Sequence, residues 1–223
     1  MLATIADRLA ALRRDLEDEL RACGRASGSA VILGVSKKQP ASAIEEAVAA
    51  GLRDIGENYV QEAKEKFAVV AGDNVRKHYI GHVQTNKAKA LVQLFDVVQT
   101  VDREDAAIAL GKAAAASDRV LPVLLQLNIS PTERFGCPPA EADRLVDKIR
   151  TTPGLRLDGV MAIGPITDNR GEIARAFELA AKTFARVGGS TLSIGMSGDW
   201  REAVRAGSTM IRIGTALFGE RRL

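Results

Sequence analysis

Cysteine, histidine and aromatic residues are all scarce in this 223-residue chain, and each shortage excludes something. Cys23 and Cys137 are the only cysteines, far apart and outside any Cys-x-x-Cys pair; His78 and His82 are the only histidines. That set argues against a structural zinc site and does not make a disulfide framework, so a reduced, cytoplasmic setting fits best. Aromatic residues make up 4% of the chain, too few for the stacking platform of a single-strand nucleic-acid binder. The 31 basic and 28 acidic residues leave a net charge of +3, with the two signs interspersed and no basic stripe. No uninterrupted apolar stretch is long enough to span a bilayer. The opening MLATIADRLAALRRDLEDEL has no continuous apolar core and turns acidic at Asp7, unlike a signal peptide.

What is present is ordinary globular composition, 46% apolar and 26% charged, with strong periodicity. Ile5, Leu9, Leu12, Leu16 and Leu20 recur every three or four residues, predicting an amphipathic helix that Gly24 and the following Ser/Gly cluster stop. Beyond it, short β-branched runs alternate with Ala-rich stretches. Strands are predicted at 30–35, 53–55, 77–80, 97–100, 120–128, 155–163, 191–194 and 210–213. Helices are predicted at 41–50, 60–70, 86–94, 104–116, 140–150 and 171–187. Such alternation implies parallel βαβ units, and about eight of them close a (β/α)8 TIM barrel with the first helix as an extra element. An open doubly wound sheet is the competing architecture, but no Gly-x-Gly-x-x-Gly follows the first strand. With no Pro/Gly/Ser-rich linker, residues 1–223 are expected to form one domain.

Four places carry chemistry. In VILGVSKKQP, alternation puts Val31, Leu33, Val35 and Lys37 on one face and Ile32, Gly34, Ser36 and Lys38 on the other. If the bulkier set faces inward, Lys37 enters the barrel mouth, where desolvation frees its amine to attack an aldehyde. A solvated strand-end lysine is the plainer alternative. In IGENYVQEA, Asn58 follows the second strand, as a ligand-facing amide or as an N-cap. After the seventh and eighth strands, SIGMSGDW and GSTMIRIGTALFGE bring Gly195, Ser197, Gly198, Gly214 and Thr215, where barrels hold phosphate, or two tight turns that need glycine. Arg212 interrupts an apolar strand and needs a partner, either an acidic neighbour or a ligand ring nitrogen.

In order, GVSKKQP, DIGENYVQE, HYIGHVQTNK, LNIS, GVMAIG, SIGMSGDW and STMIRIGTALFG resemble the hallmarks of the pyridoxal-phosphate homeostasis proteins (YggS/PROSC-type PLP-binding proteins) over nearly the whole chain. The resemblance implies a barrel like the N-terminal domain of alanine racemase, with pyridoxal 5′-phosphate as cofactor. It implies a Schiff base on Lys37, phosphate contacts from Ser197, Gly214 and Thr215, and Arg212 facing the pyridine nitrogen. It also puts Asn58 beside the cofactor, with Met161 and Gly195 lining the pocket. Two positions depart from the pattern. Lys77 stands where the family often has Trp, and Arg134 replaces a lysine in a stretch one residue shorter; arginine cannot form the equivalent imine.

An arginine at the pyridine nitrogen yields no proton readily, which makes the ring a weak electron sink and disfavours transamination. Racemisation needs acid–base groups on both faces of a substrate carbon. In alanine racemase one is a tyrosine of a second domain, for which this chain has no counterpart after its barrel; Tyr59 and Tyr79 belong to barrel segments. The expected role is a monomeric carrier that keeps free pyridoxal phosphate low and passes it to apo-enzymes. The alternatives are a weak amino-acid racemase, or a barrel enzyme using Lys37 on a phosphorylated sugar.

Overall fold

The computed structural model describes residues 3–70, 74–132 and 134–220. Eight strands alternate with helices: β1 (Val31–Val35), β2 (Asp54–Glu57), β3 (Arg76–Tyr79), β4 (Val97–Val101), β5 (Leu121–Asn128), β6 (Leu155–Ile163), β7 (Thr191–Met196) and β8 (Met210–Ile213). Each pairs in parallel with the next, and β8 returns to β1 with Leu33 opposite Arg212 and Gly34 opposite Ile213. The chain is therefore a closed (β/α)8 barrel, and the doubly wound sheet is excluded because no strand is left at an edge.

The outer layer consists of α2 (Ala41–Ala49), α3 (Val60–Phe67), α4 (Ala88–Leu94), α5 (Glu104–Ala115), α6 (Ala142–Thr151), α7 (Arg170–Val187), α8 (Trp200–Arg205) and α9 (Thr215–Phe218), with α1 (Ile5–Ala22) preceding the barrel. Predicted and observed elements differ mainly at their ends. The 86–94 and 140–150 helices each open with a 3-10 turn, Thr85–Lys87 and Pro139–Glu141, before becoming α-helical. The 60–70 helix stops at Phe67. The short α8 and α9 were not anticipated, because four to six residues carry too little periodicity to separate a helix from a turn.

The stripe on α1 is buried as its spacing requires: Leu9 and Leu20 are fully covered, and the helix packs with Ile44 of α2, Val204 of α8 and Leu217 of α9. Thr4 and Asp7 cap its start reciprocally, the Asp7 N–H donating to Thr4 Oγ1 and the Thr4 N–H to Asp7 Oδ2. Gly24 ends it at φ +67, its N–H bonded to the Arg21 carbonyl while the Arg25 N–H returns to Leu20, a Schellman closure.

The strand faces follow the predicted alternation. A Cβ on Gly34 would meet Leu52, Leu217 and Phe218 of the outer layer, so Gly34 and its even-numbered neighbour Ile32 face the helices. Leu33 and Val35 are left to the interior. No helix among the described residues is long and apolar enough to cross a membrane.

Truncating Leu9 removes a side chain buried between α1 and the barrel wall. Leu9→Ala is expected to lower unfolding stability by about 2–5 kcal/mol at unchanged urea m-value. A loss under about 0.5 kcal/mol in urea titrations would mean that α1 is not part of the cooperative core.

Candidate functional site

The C-terminal ends of the strands form the mouth. After β1 the chain turns sharply through Ser36–Lys38, the Gln39 N–H closing back on the Ser36 carbonyl at 3.0 Å. Lys37 is half-buried in this turn. Lys38 is exposed and sits at φ +60, a left-handed conformation uncommon outside glycine.

That turn is held from behind by ionic groups. Lys66 of α3 directs its ammonium at three acceptors: the Ser36 carbonyl (2.8 Å), Glu57 Oε1 (2.7 Å) and Glu62 Oε2 (2.8 Å). They match its three protons. The Ser36 hydroxyl donates to Glu57 Oε1 at 2.7 Å, and Glu62 Oε2 takes the Lys38 N–H at 2.8 Å. Burial pushes the Glu57 carboxyl up despite Lys66 and Ser36, and its Oε2 is buried without a hydrogen-bond partner. Burial also acts on Glu62, but the bonds from Lys66 and the Lys38 N–H outweigh it and hold this carboxyl down.

Across the β1–β8 seam lies the second half of the mouth. Gly214 follows β8 and starts α9; a Cβ there would lie 3.6 Å from the Val35 carbonyl oxygen, so this loop abuts the strand that leads into Lys37. Thr215 is exposed beside it. The neighbouring loop after β7 exposes Ser197 and Gly198 and is pinned by Asp199, whose Oδ1 accepts the Met196 N–H at 2.6 Å. Burial raises the Asp199 carboxyl. Gly195 has φ +94, and a Cβ on it would strike Ala203 and Trp200, so it packs closely against α8.

Arg212 is buried in the barrel wall. Its Nη1 donates to the Ser193 carbonyl and hydroxyl (2.5 and 2.9 Å), and its Nη2 to the Ala162 carbonyl at 2.8 Å. Nε takes part in none of these bonds. No carboxylate pairs with it directly among the described residues, so the acidic partner weighed from the sequence is not what satisfies it. Burial draws the guanidinium down to about 10, against the attraction of Asp199, which leaves it a cation at neutral pH.

On the far side of the mouth a cavity of about 780 Å³ is lined by Asn58, Tyr59, His82, Gln126, Arg134 and Phe135, among others. The His82 and Phe135 rings stack at 3.9 Å. Asn58 Oδ1 is buried with no hydrogen-bond partner, and α3 is capped by Tyr59 without a side-chain bond, so Asn58 is not its N-cap. Tyr79 is buried, its hydroxyl donating to the His82 carbonyl at 2.9 Å; burial pushes that phenol to about 12.

The fold thus gathers Lys37, Ser197, Gly214, Thr215 and Asn58 on the strand-end face, with Arg212 within the wall. Met161 is buried on β6 at 1% exposure, and Gly195 lies on β7 against α8. Lys66 and Glu62 had no signal in the sequence, since charged residues on a helix following a strand usually face water, and Glu57 at the end of β2 has no sequence feature that marks it as buried.

The family profile described as alanine racemase, N-terminal domain, matches residues 8–222. A Pseudomonas aeruginosa protein named pyridoxal phosphate homeostasis protein is 40% identical over 223 residues, 99% of this chain and 97% of that one. An Escherichia coli protein of the same name is 41% identical over 229 residues, 97% of each chain. PipY of Synechococcus elongatus, solved with PLP bound, superposes with a TM-score of 0.86 at 34% identity, covering 97% of this chain and 100% of PipY.

Removing the Lys66 ammonium strands a buried carboxylate. Lys66→Met is expected to cost about 3–5 kcal/mol at neutral pH. The deficit should shrink as pH falls towards 4.5, the ordinary Glu value, because the folded-state Glu57 carboxyl, already raised, then takes up a proton before the unfolded one does. A deficit that grew on acidification in denaturation curves would assign the effect to another group.

Proposed function

The chain belongs to the pyridoxal phosphate homeostasis protein family, and from that premise we propose that it is a carrier which holds pyridoxal 5′-phosphate (PLP) through Lys37, keeps the free aldehyde scarce and delivers it to apo-enzymes. The observation that carries this reading is the β1–β8 seam, where the turn bearing Lys37 meets the Gly214–Thr215 loop.

The residues present fit the group. Asn58 brings an amide whose oxygen is buried and unpartnered, as a site awaiting a polar ligand would have. Arg212 keeps Nε clear of its wall bonds, as a donor for a ring nitrogen. Ser197 and Thr215 offer exposed hydroxyls on loops that follow β7 and β8, and Gly214 lets the backbone come close to an anion. Bound there, PLP supplies an aldehyde that captures primary amines and a ring that takes up electrons.

Each side chain then has a task. Lys37 would present its amine to the aldehyde from a turn that Lys66 and Glu62 hold in shape. Arg212 accepts no proton and gives none up readily at neutral pH, so it orients the ring without making it a strong electron sink. Tyr79 is spent on the His82 carbonyl and is a poor acid or base. On this reading the protein works as a single-domain cytoplasmic monomer, without nucleic-acid or membrane partners.

One observation favours a second reading. Tyr59 is 52% exposed and lines the cavity, so a phenol does stand on the mouth face. A weak amino-acid racemase would use it opposite Lys37.

Purified protein is expected to show a visible absorption band that borohydride bleaches, with peptide mapping locating the label on Lys37. Label on Lys38 would overturn the residue assignment; absence of both band and label would overturn PLP carriage. Incubation with single-enantiomer amino acids is expected to give no rapid inversion. Saturable inversion that disappears in Lys37→Ala would replace the carrier with the racemase.

A further inference from the structure

The lumen of an eight-stranded barrel is filled by side chains, usually branched and apolar. Here five strands put polar ones inside: Asp54 on β2, His78 on β3, Gln99 on β4, Ser193 on β7 and Arg212 on β8 form one connected set, none more than 5% exposed. They are bonded in series. Arg212 Nη1 lies 2.9 Å from Ser193 Oγ, which lies 2.7 Å from Gln99 Oε1 across the lumen. Gln99 Nε2 lies 2.9 Å from His78 Nδ1, and His78 Nε2 lies 2.9 Å from Asp54 Oδ1. At the far end Asp54 also meets the half-exposed Arg76 at 3.2 Å.

The direction of every bond in this series is determined. Arg212 only donates, so Ser193 Oγ accepts from it and turns its own proton to Gln99 Oε1. The Gln99 amino group then donates to His78 Nδ1, which must carry a lone pair, and the ring proton sits on Nε2 towards the Asp54 carboxylate. The reversed amide would set its oxygen against the Met210 sulfur, now 3.2 Å from Nε2. It would also bring N–H groups to Ser193 Oγ from both sides, leaving the hydroxyl proton no acceptor in the series. Only one arrangement satisfies all the members, and in it each donor points from the cation towards the anion, so the bonds polarise one another.

We propose that Ser193, Gln99, His78 and Asp54 are positioning residues for Arg212: a one-way hydrogen-bond series through the barrel lumen that locks the guanidinium in place and holds His78 as its Nε2–H tautomer. The inference rests on the reading that Arg212 faces the ring nitrogen of PLP, and it assigns the cofactor's electronic environment to residues that never touch it. The Ser193 and Ala162 carbonyls grip Nη1 and Nη2, and the Ser193 hydroxyl adds a third acceptor whose own direction is set from across the lumen. Fixing Nη1 to a hydroxyl that is itself oriented across the lumen leaves Nε one direction to donate.

Nitrogen NMR on isotope-labelled, PLP-free protein tests the series without the cofactor. The wild type is expected to show His78 protonated on Nε2 and bare on Nδ1. Gln99→Glu replaces the donor with an acceptor of the same shape, and His78 is expected to become doubly protonated. A residue that merely packs would show no such change. Gln99→Met and Ser193→Ala cut the series on either side of the lumen, and the second keeps the question open should the first fail to fold. In both, the Arg212 N–H groups are expected to exchange with water about tenfold faster or more, and loaded protein is expected to release PLP faster by a similar factor with a shifted visible band. Unchanged Arg212 exchange in both variants would overturn the proposal, as would a wild-type His78 protonated on Nδ1. Should the wild type take up no PLP, the carrier reading fails, and Arg212 exchange in the ligand-free protein still decides the present inference.

Discussion

The pairing of β8 with β1 is the constraint from which the rest of the molecule follows. It satisfies the N–H and C=O groups that two edge strands would otherwise expose, and it does so in a fixed register, Val31 to Met210 through Gly34 to Ile213. That register sets the Gly214 loop against Val35, next to the turn that carries Lys37. A register shifted by one residue would turn Arg212 out of the lumen and Ile213 into it. The Lys37 turn, the Gly214 loop and the buried Arg212 are neighbours only because the ends of the sheet meet here. The outward face of the same seam packs under α1, α8 and α9, so the apolar stripe read at the start of the chain supports the closure from outside.

Around this seam the protein buries charge in two different ways. Lys66, Glu57 and Glu62 form a compact cluster outside the barrel wall, with one ammonium serving two carboxylates and a carbonyl. Such a cluster adds little net stability, because desolvation offsets most of the attraction, but losing one member is severe. What it provides is shape: it fixes a turn that contains a left-handed lysine. Inside the wall Arg212 and Asp54 are kept apart and joined through Ser193, Gln99 and His78. Separation leaves the guanidinium positive and oriented, whereas a direct carboxylate partner would occupy its donors. Both arrangements serve placement of a functional group ahead of stability.

The same placement bears on the proposed carrier role, if Arg212 faces the ring nitrogen of the bound aldehyde. A strong electron sink needs a proton at the ring nitrogen, and a guanidinium that stays charged near neutrality does not supply one. Proton transfer at a substrate carbon needs a second group of suitable basicity, and burial has taken Tyr79 out of that range. The cavity beyond Asn58 is open and lined by His82, Phe135 and Tyr59, which gives an incoming amine room at the mouth.

Much of the fold was legible in the amino-acid order. Strand positions came within a few residues, because β-branched runs and Ala-rich stretches differ in local preference whatever surrounds them, and Lys37, Gly214 and Thr215 stood out because they end strands in motifs of unusual composition. Helix ends at Thr85 and Pro139 did not, since 3-10 and α turns share the same side-chain spacing at their start. Tertiary structure alone decided the partners. Gln99 in VVQTV and Ser193 in TLSIGM are isolated polar residues in apolar strands, and nothing local says that they meet across a lumen. Nothing in the sequence marked His78 or Lys66 as members of buried hydrogen-bond clusters. A side chain's conformational preference is set by its own backbone, but its hydrogen-bond partner is set by which strand closes on which, and that is a property of the whole ring.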